Sequence, residues 1–180
     1  MQRQIMLAGG NNLLHLLTPD EHIDNIYQIN PDHLQSLGIK GIITDMDNTL
    51  VPWHDRAVYP KLTGLFTDLK KKGFRIFIVS NNSRSCGIRL ARELDISAIW
   101  YAIKPRRHAF RRAIKKMDLS PGEVAVVGDQ IFTDILGGNR LGLHTILVNP
   151  ISEKEFFWSR IMRKLERIIL KRLEGKPGEP

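Results

Sequence analysis

The chain of 180 residues is 42% hydrophobic and 26% charged, proportions that suit one globular domain with a sizeable core and exclude a generally disordered protein. A single cysteine, Cys86, excludes an internal disulfide or a thiolate metal cluster and suits a reducing compartment. No apolar run approaches the roughly 18–20 residues that cross a bilayer, and the opening Met1–Asn12 breaks up too early for a secretory signal; the expected setting is cytoplasmic, soluble or peripheral on the inner face of a membrane.

In chain order, the first forty residues give weak signals. Pro19-Asp20-Glu21 and Pro31-Asp32 read as helix starts, with Ile23, Ile26, Tyr27 and Ile29 directed at a core. The expectation is a helical extension over 1–38. From 39 to 150 the pattern alternates. Short, nearly continuous apolar runs at Gly41–Met46, Phe74–Ser80, Ala98–Ala102, Val124–Gly128 and His144–Val148 read as strands covered on both faces. Between them, Pro60–Lys72, Ser83–Leu94, Arg106–Met117 and Thr133–Leu141 carry helical spacing, the last despite Gly137-Gly138. Such alternation predicts an α/β fold: a doubly wound parallel sheet of about five strands between helices.

The net charge of +8 is unevenly placed along these elements. Lys104, Arg106, Arg107, Arg111, Arg112, Lys115 and Lys116 fall within 104–116 with no acid among them. Over 152–174, Phe157, Ile161, Met162, Leu165, Ile168, Ile169 and Leu173 recur at helical spacing, with Arg160, Arg163, Lys164, Arg167 and Lys171 on other faces. This basic amphipathic helix, headed by Phe156-Phe157-Trp158, suits either a membrane interface or packing on the protein's own core. Localised positive charge points to a localised anionic partner, against the plainer reading of solvated helix faces.

The predicted strands end in the chemically unusual residues. The first ends in Asp45-Met46-Asp47-Asn48-Thr49 and the second in Ser80-Asn81-Asn82. The third is followed by Lys104-Pro105, and the fourth ends in Gly128-Asp129-Gln130 with Asp134 close behind. Ligands of open α/β sheets bind beyond the carboxyl ends of the strands, so these groups converge on one rim. Asp45 and Asp47, two apart on an extended chain, repel each other unless compensated. Mg²⁺ answers this, taking one or two carboxylates with water and substrate phosphate; Asp129 is the natural further ligand. Lys104 supplies fixed positive charge, and Ser80 with nearby backbone N–H groups can hold phosphoryl oxygens.

Asp-x-Asp-x-Thr, then Ser-Asn, then Lys-Pro, then Gly-Asp-x-x-x-x-Asp, in that order and each at a strand end, resembles the haloacid dehalogenase superfamily of phosphatases. The stretches Gly38–Val51, Val79–Asn82 and Gly128–Arg140 look like its YqeG-type branch, subfamily IIIA, whose members are similar to phosphatidylglycerophosphate phosphatases. The resemblance implies an Mg²⁺-dependent aspartyl-phosphate mechanism. By it, Asp45 is nucleophile and metal ligand, and Asp47 is general acid/base with its backbone carbonyl on the metal. Thr49 braces Asp47, Ser80 and Asn81 bind the phosphoryl group, and Lys104 stabilises its charge. Asp129 holds the metal and Asp134 is an auxiliary acid.

Asp47 and Ser80 stand 32 residues apart and Ser80 and Lys104 23, counting only residues between, which leaves no room for a cap domain. A capless member of the superfamily is expected to act on a bulky substrate that itself covers the mouth. The favoured substrate is a phosphorylated, anionic phospholipid at a membrane surface; the enzymatic alternative is protein or polynucleotide phosphate. A non-enzymatic alternative, an RNA-binding module on this scaffold, rests on charge alone, since no aromatic–basic RNA motif is present and no stable nucleic-acid partner is expected. After the first acidic motif, Trp53 reads as a head-group contact or cover for the mouth, or as core packing, and His54 as a loop residue or a substrate contact. The spacing of Gly137-Gly138 suits close packing better than phosphate binding. Oligomeric state and the role of residues 1–13 stay open.

Overall fold

Ile42 and Ile43 are neighbours in sequence, yet each belongs to a different hydrophobic core. Ile76 and Ile78 join Ile42 on one face while Phe77 and Val79 join Ile43 on the other; Ala125 and Val127 divide from Val124 and Val126 in the same way. Strand side chains alternate with period two, so runs apolar at every position must be covered on both faces. In the computed structural model, which describes residues 12–54 and 59–152, helices supply that cover. Leu62, Phe66 and Leu69 of α3 (Pro60–Lys71), with Leu90 and Ala91 of α4 (Arg84–Glu93), fill one side. Ala109, Phe110, Ala113, Ile114 and Met117 of α5 (Arg107–Met117) fill the other.

The sheet has six parallel strands among the described residues, one more than expected: β1 (Glu21–Ile23), β2 (Gly41–Thr44), β3 (Arg75–Val79), β4 (Ser97–Ile99), β5 (Val124–Gly128) and β6 (His144–Val148). Their spatial order is β1-β6-β5-β2-β3-β4. The chain therefore steps outward from β2 to β3 and β4, then crosses back to β5 and β6. That reversal leaves a crevice at the carboxyl end of β2, between β3 and β5, the position at which open α/β sheets take ligands.

The extra strand corrects the expected helix start at Pro19-Asp20-Glu21. Asp20 does not cap a helix. Its carboxylate accepts the backbone N–H of Thr145 (2.9 Å) and the Thr145 hydroxyl (3.0 Å), and its own N–H donates to the Thr145 carbonyl (2.9 Å). These bonds set Glu21, His22 and Ile23 opposite Ile146, Leu147 and Val148. The edge of β6 would otherwise present unpaired backbone groups, which the added strand satisfies. Asn139 ties down the preceding turn, donating to the carbonyls of Leu16 (3.0 Å) and Thr18 (2.8 Å) at the end of α1 (Asn12–Leu17). The second expected start does form a helix, α2 (Pro31–Ser36): the Asn30 side chain accepts the N–H groups of Asp32 and His33, and Pro31 occupies the first turn.

After β5, the expected helix over Thr133–Leu141 is replaced by a π-helical turn, Ile131–Ile135, running into α6 (Leu136–Asn139). A Cβ on Gly137 would lie 2.5 Å from the Phe110 ring and one on Gly138 2.4 Å from Val126, so the glycine pair lets α6 sit directly on α5 and the sheet. The basic amphipathic helix expected over 152–174 lies, apart from Ser152, outside the described residues.

Candidate active site

Beyond β2, the Asp45 N–H still donates to the Val127 carbonyl of β5 (2.9 Å), extending the pairing by one residue and carrying the carboxylate to a buried position. The chain then folds back on itself. The Met46 carbonyl accepts from the N–H of Leu50 and of Val51, and Asn48 takes a left-handed φ of 61°, which asparagine tolerates better than most residues. Asp47 is thereby paired with Val51 and returned to the same cavity as Asp45. One oxygen of Asp47 accepts from the Asn82 side-chain amide (3.2 Å).

The loop after β3 holds the lysine. Ser80 is bonded through its backbone to Ile99 and Ala102, and its hydroxyl accepts the Asn82 N–H (3.0 Å). The Asn81 side-chain oxygen accepts the backbone N–H of Lys104 (2.7 Å). Fixed in this way, Lys104 reaches inward, and its buried ammonium donates to Asp45 Oδ1 (2.5 Å) and Asp134 Oδ1 (2.7 Å). Asp134 arrives from the π-helical turn, where its other oxygen accepts from the Gln130 N–H (3.3 Å) and the Thr133 hydroxyl (3.2 Å). It packs so closely on β5 that a Cβ at Gly128 would lie 2.3 Å from its carboxyl carbon. The Thr49 hydroxyl points to Asp129 Oδ1 (3.5 Å).

Oxygens of Asp45, Asp129 and Asp134 lie within 4.8 Å of one another, and all three residues are buried. Among the described residues one ammonium, Lys104, stands among these three carboxylates, and that much carboxylate charge out of water is costly without further compensation. An all-oxygen set with that residual charge fits a hard divalent cation. The electrostatics follow the same geometry. Burial opposes the charged form of Lys104, but Asp134 and Asp45 outweigh it and hold the ammonium well above the ordinary lysine range. Burial pushes the Asp134 carboxyl up to about 6; Lys104 pulls the other way, and Asp45 adds to the rise.

In front of this cluster is a cavity of about 230 Å³ lined by Asp45, Asp47, Ser80, Asn81, Asn82, Lys104, Gln130 and Thr133. Two larger grooves, about 570 and 590 Å³, lie elsewhere and have no carboxylate cluster, Asp95 and Asp118 being their sole acids. Of the residues singled out from sequence, Asp45, Asp47, Ser80, Asn81 and Lys104 meet at the small cavity, with Asp129, Asp134 and Thr49 behind it. Sequence reasoning did not assign Asn82, Gln130 or Thr133 to the site. Each abuts a residue that it did assign, and that adjacency was the available signal.

A model of hydrolases, described as haloacid dehalogenase-like hydrolase, matches residues 51–142. The chain is 44% identical over 158 residues to a Bacillus subtilis (strain 168) protein described as probable phosphatase YqeG, covering 88% of this chain and 92% of that one. It is 30% identical over 172 residues to the chloroplastic and mitochondrial phosphatidylglycerophosphate phosphatase 1 of Arabidopsis thaliana, covering 90% of this chain and 49% of that longer protein. In fold it is similar to an uncharacterised protein from Listeria monocytogenes serotype 4b, with a TM-score of 0.51 at 18% identity over 74% of this chain and 99% of that one.

Proposed function

The chain belongs to the haloacid dehalogenase-like hydrolase family and is a phosphatase, and on that premise we propose that it hydrolyses a phosphomonoester through an aspartyl-phosphate on Asp45. The supporting observation is that Asp45, Asp47 and Lys104 line one cavity, with Asp129 and Asp134 packed behind the nucleophile. The proposed cofactor is Mg²⁺, held by the carboxylates of Asp45 and Asp129 and the Asp47 backbone carbonyl; when bound, it would neutralise charge on the nucleophile and the phosphoryl oxygens.

Asp45 attacks phosphorus while Asp47 gives its proton to the departing ester oxygen, so the new bond to Asp45 forms as the old one to the alcohol breaks. Asp47, now ionised, takes a proton from water; that water attacks the phosphorus and frees Asp45 and inorganic phosphate. Asn82 holds the Asp47 carboxyl in place between these two tasks. Lys104 stands against Asp45 and the phosphoryl oxygens, kept charged by Asp134. Ser80 and Asn81 bind the phosphoryl group, and Thr49 acts through Asp129.

The proposed substrate is phosphatidylglycerophosphate or a similar anionic phospholipid. Two findings support it: the substrate named for the Arabidopsis relative, and a cavity with room for a phosphoryl group while no inserted domain separates β2 from β3 or β3 from β4 among the described residues. No helix among those residues is long and apolar enough to cross a membrane, so the lipid would be met at its surface. The test is phosphate release, with and without Mg²⁺, from phosphatidylglycerophosphate in vesicles, a phosphopeptide and a 3′-phosphorylated oligonucleotide. Release is expected from the vesicles, only with Mg²⁺, and is expected to be lost in Asp45→Asn. Equal release by Asp45→Asn overturns the mechanism; efficient cleavage of another substrate with lipid untouched overturns the substrate.

A further inference from the structure

Seven large apolar side chains are exposed among the described residues, and five of them, Trp53, Tyr59, Tyr101, Ile103 and Ile151, lie on segments that follow β2, β4 and β6 at the carboxyl end of the sheet, the end that carries the cavity. Ile151 donates its N–H to the carbonyl of Asn48, next to Asp47 (3.0 Å), and Tyr101 donates its N–H to the carbonyl of Asn82 (3.1 Å). Scattered exposed apolar residues need no explanation, but a set gathered at one end of the sheet does.

Two of them are held at a conformational cost. Tyr101 and Ile103 are 67% and 58% exposed and have φ of 52° and 54°. Left-handed backbone is unusual for a bulky residue and an outlier for a β-branched one. Gly or Asn would sit there with less strain and no apolar exposure, so folding does not account for Tyr and Ile at these positions. The charges beside them are placed the same way. Arg106 and Arg107 are exposed at the start of α5, the positive end of its dipole, and no acid offsets them in the first turn. The loop thus presents two apolar tips followed at once by two cations, a sequence suited to the boundary between acyl chains and anionic head groups.

We propose that the cavity mouth is itself the membrane-docking surface: Tyr101 and Ile103, seconded by Trp53 and Ile151, enter the interfacial zone of an anionic bilayer while Arg106 and Arg107 meet its head groups, seating the opening over a lipid phosphate. The inference deepens the lipid-phosphatase reading and rests on it. It assigns the docking to this rim rather than to residues after 152.

The experiment compares full-length wild type with Tyr101→Asn/Ile103→Asn. Asparagine accepts the left-handed backbone, so the variant keeps the loop while losing both apolar tips. The readout is the ratio of kcat/KM on phosphatidylglycerophosphate in vesicles of phosphatidylcholine with phosphatidylglycerol to kcat/KM on soluble p-nitrophenyl phosphate. The ratio is expected to fall about tenfold or more, from the loss of two partly buried apolar contacts, with the soluble rate within about twofold of wild type. Arg106→Gln/Arg107→Gln is expected to lower the ratio in proportion to the phosphatidylglycerol content. An unchanged ratio in the Asn variant overturns the proposal, whether both rates hold or both fall together, as does a rim-dependent dimer in sedimentation with no change on vesicles. If wild type cleaves soluble ester but never vesicle lipid, it is the substrate reading that fails.

Discussion

Lys104→Met removes the ammonium that donates to Asp45 and Asp134 and leaves three carboxylates with oxygens within 4.8 Å of one another, all in buried residues. Methionine refills most of the space, so the loss is electrostatic rather than a cavity. Breaking a buried pair by deleting one partner costs about 3–5 kcal/mol, because the other charge is left uncompensated. For a chain of this size that lowers Tm by roughly 6–20 °C. The sign of the pH dependence is fixed. Asp134 already has its folded pKa raised to about 6, and loss of Lys104 raises it further, so the folded variant binds protons that the unfolded chain does not. The deficit relative to wild type is therefore full only above the variant's raised folded pKa and shrinks as the pH falls toward about 6, where Asp134 protonates in the wild type as well. A divalent cation should also recover part of it by binding the folded state. Thermal melts of both proteins, from alkaline to mildly acid pH, with and without Mg²⁺, test this. If Lys104→Met melts with wild type at alkaline pH without metal, the three acids are not held as a charge cluster that needs Lys104 and the cation argument fails with it.

Gly128→Ala places a Cβ against the Asp134 carboxyl; we expect about 1–3 kcal/mol of destabilisation from overpacking and a loss of phosphatase activity larger than that of an alanine elsewhere in β5, measured by melts and by turnover on soluble ester. At the opposite end of the sheet, Glu123 is held down to about 2 by the Lys40 ammonium and by the N–H and hydroxyl of Ser120. Its contribution is present above the ordinary carboxyl range and lost as the pH falls toward about 2. Glu123→Gln should thus be less stable than wild type at neutral pH, with the gap closing in acid and activity unaffected. Asn81→Ala removes the acceptor for the Lys104 N–H together with a proposed contact to the phosphoryl group, and is expected to lower kcat and raise KM on soluble ester, both read from steady-state rates.

The chemistry of this protein was legible because it sits where local patterning is strongest. Asp45, Ser80, Lys104 and Asp129 each follow a short apolar run, and a run buried on both faces identifies itself from composition alone. Parallel strands then put their carboxyl ends on one side, which is enough to gather the groups without knowing the strand order. What sequence could not supply depends on partners distant along the chain. β1 is three residues long and exists because Thr145 and the open edge of β6 lie beside it. Thr49 meets Asp129, 80 residues away, because β2 and β5 are neighbours. Asp134 faces Lys104 because a π-helical turn, rather than an α-helix from Thr133, carries it inward over a residue with no side chain. Residue identity decided which groups could act; strand order and the turn after β5 decided which of them share a charge, since electrostatic coupling depends on separation in space and on burial, neither of which the spacing of residues along a chain specifies.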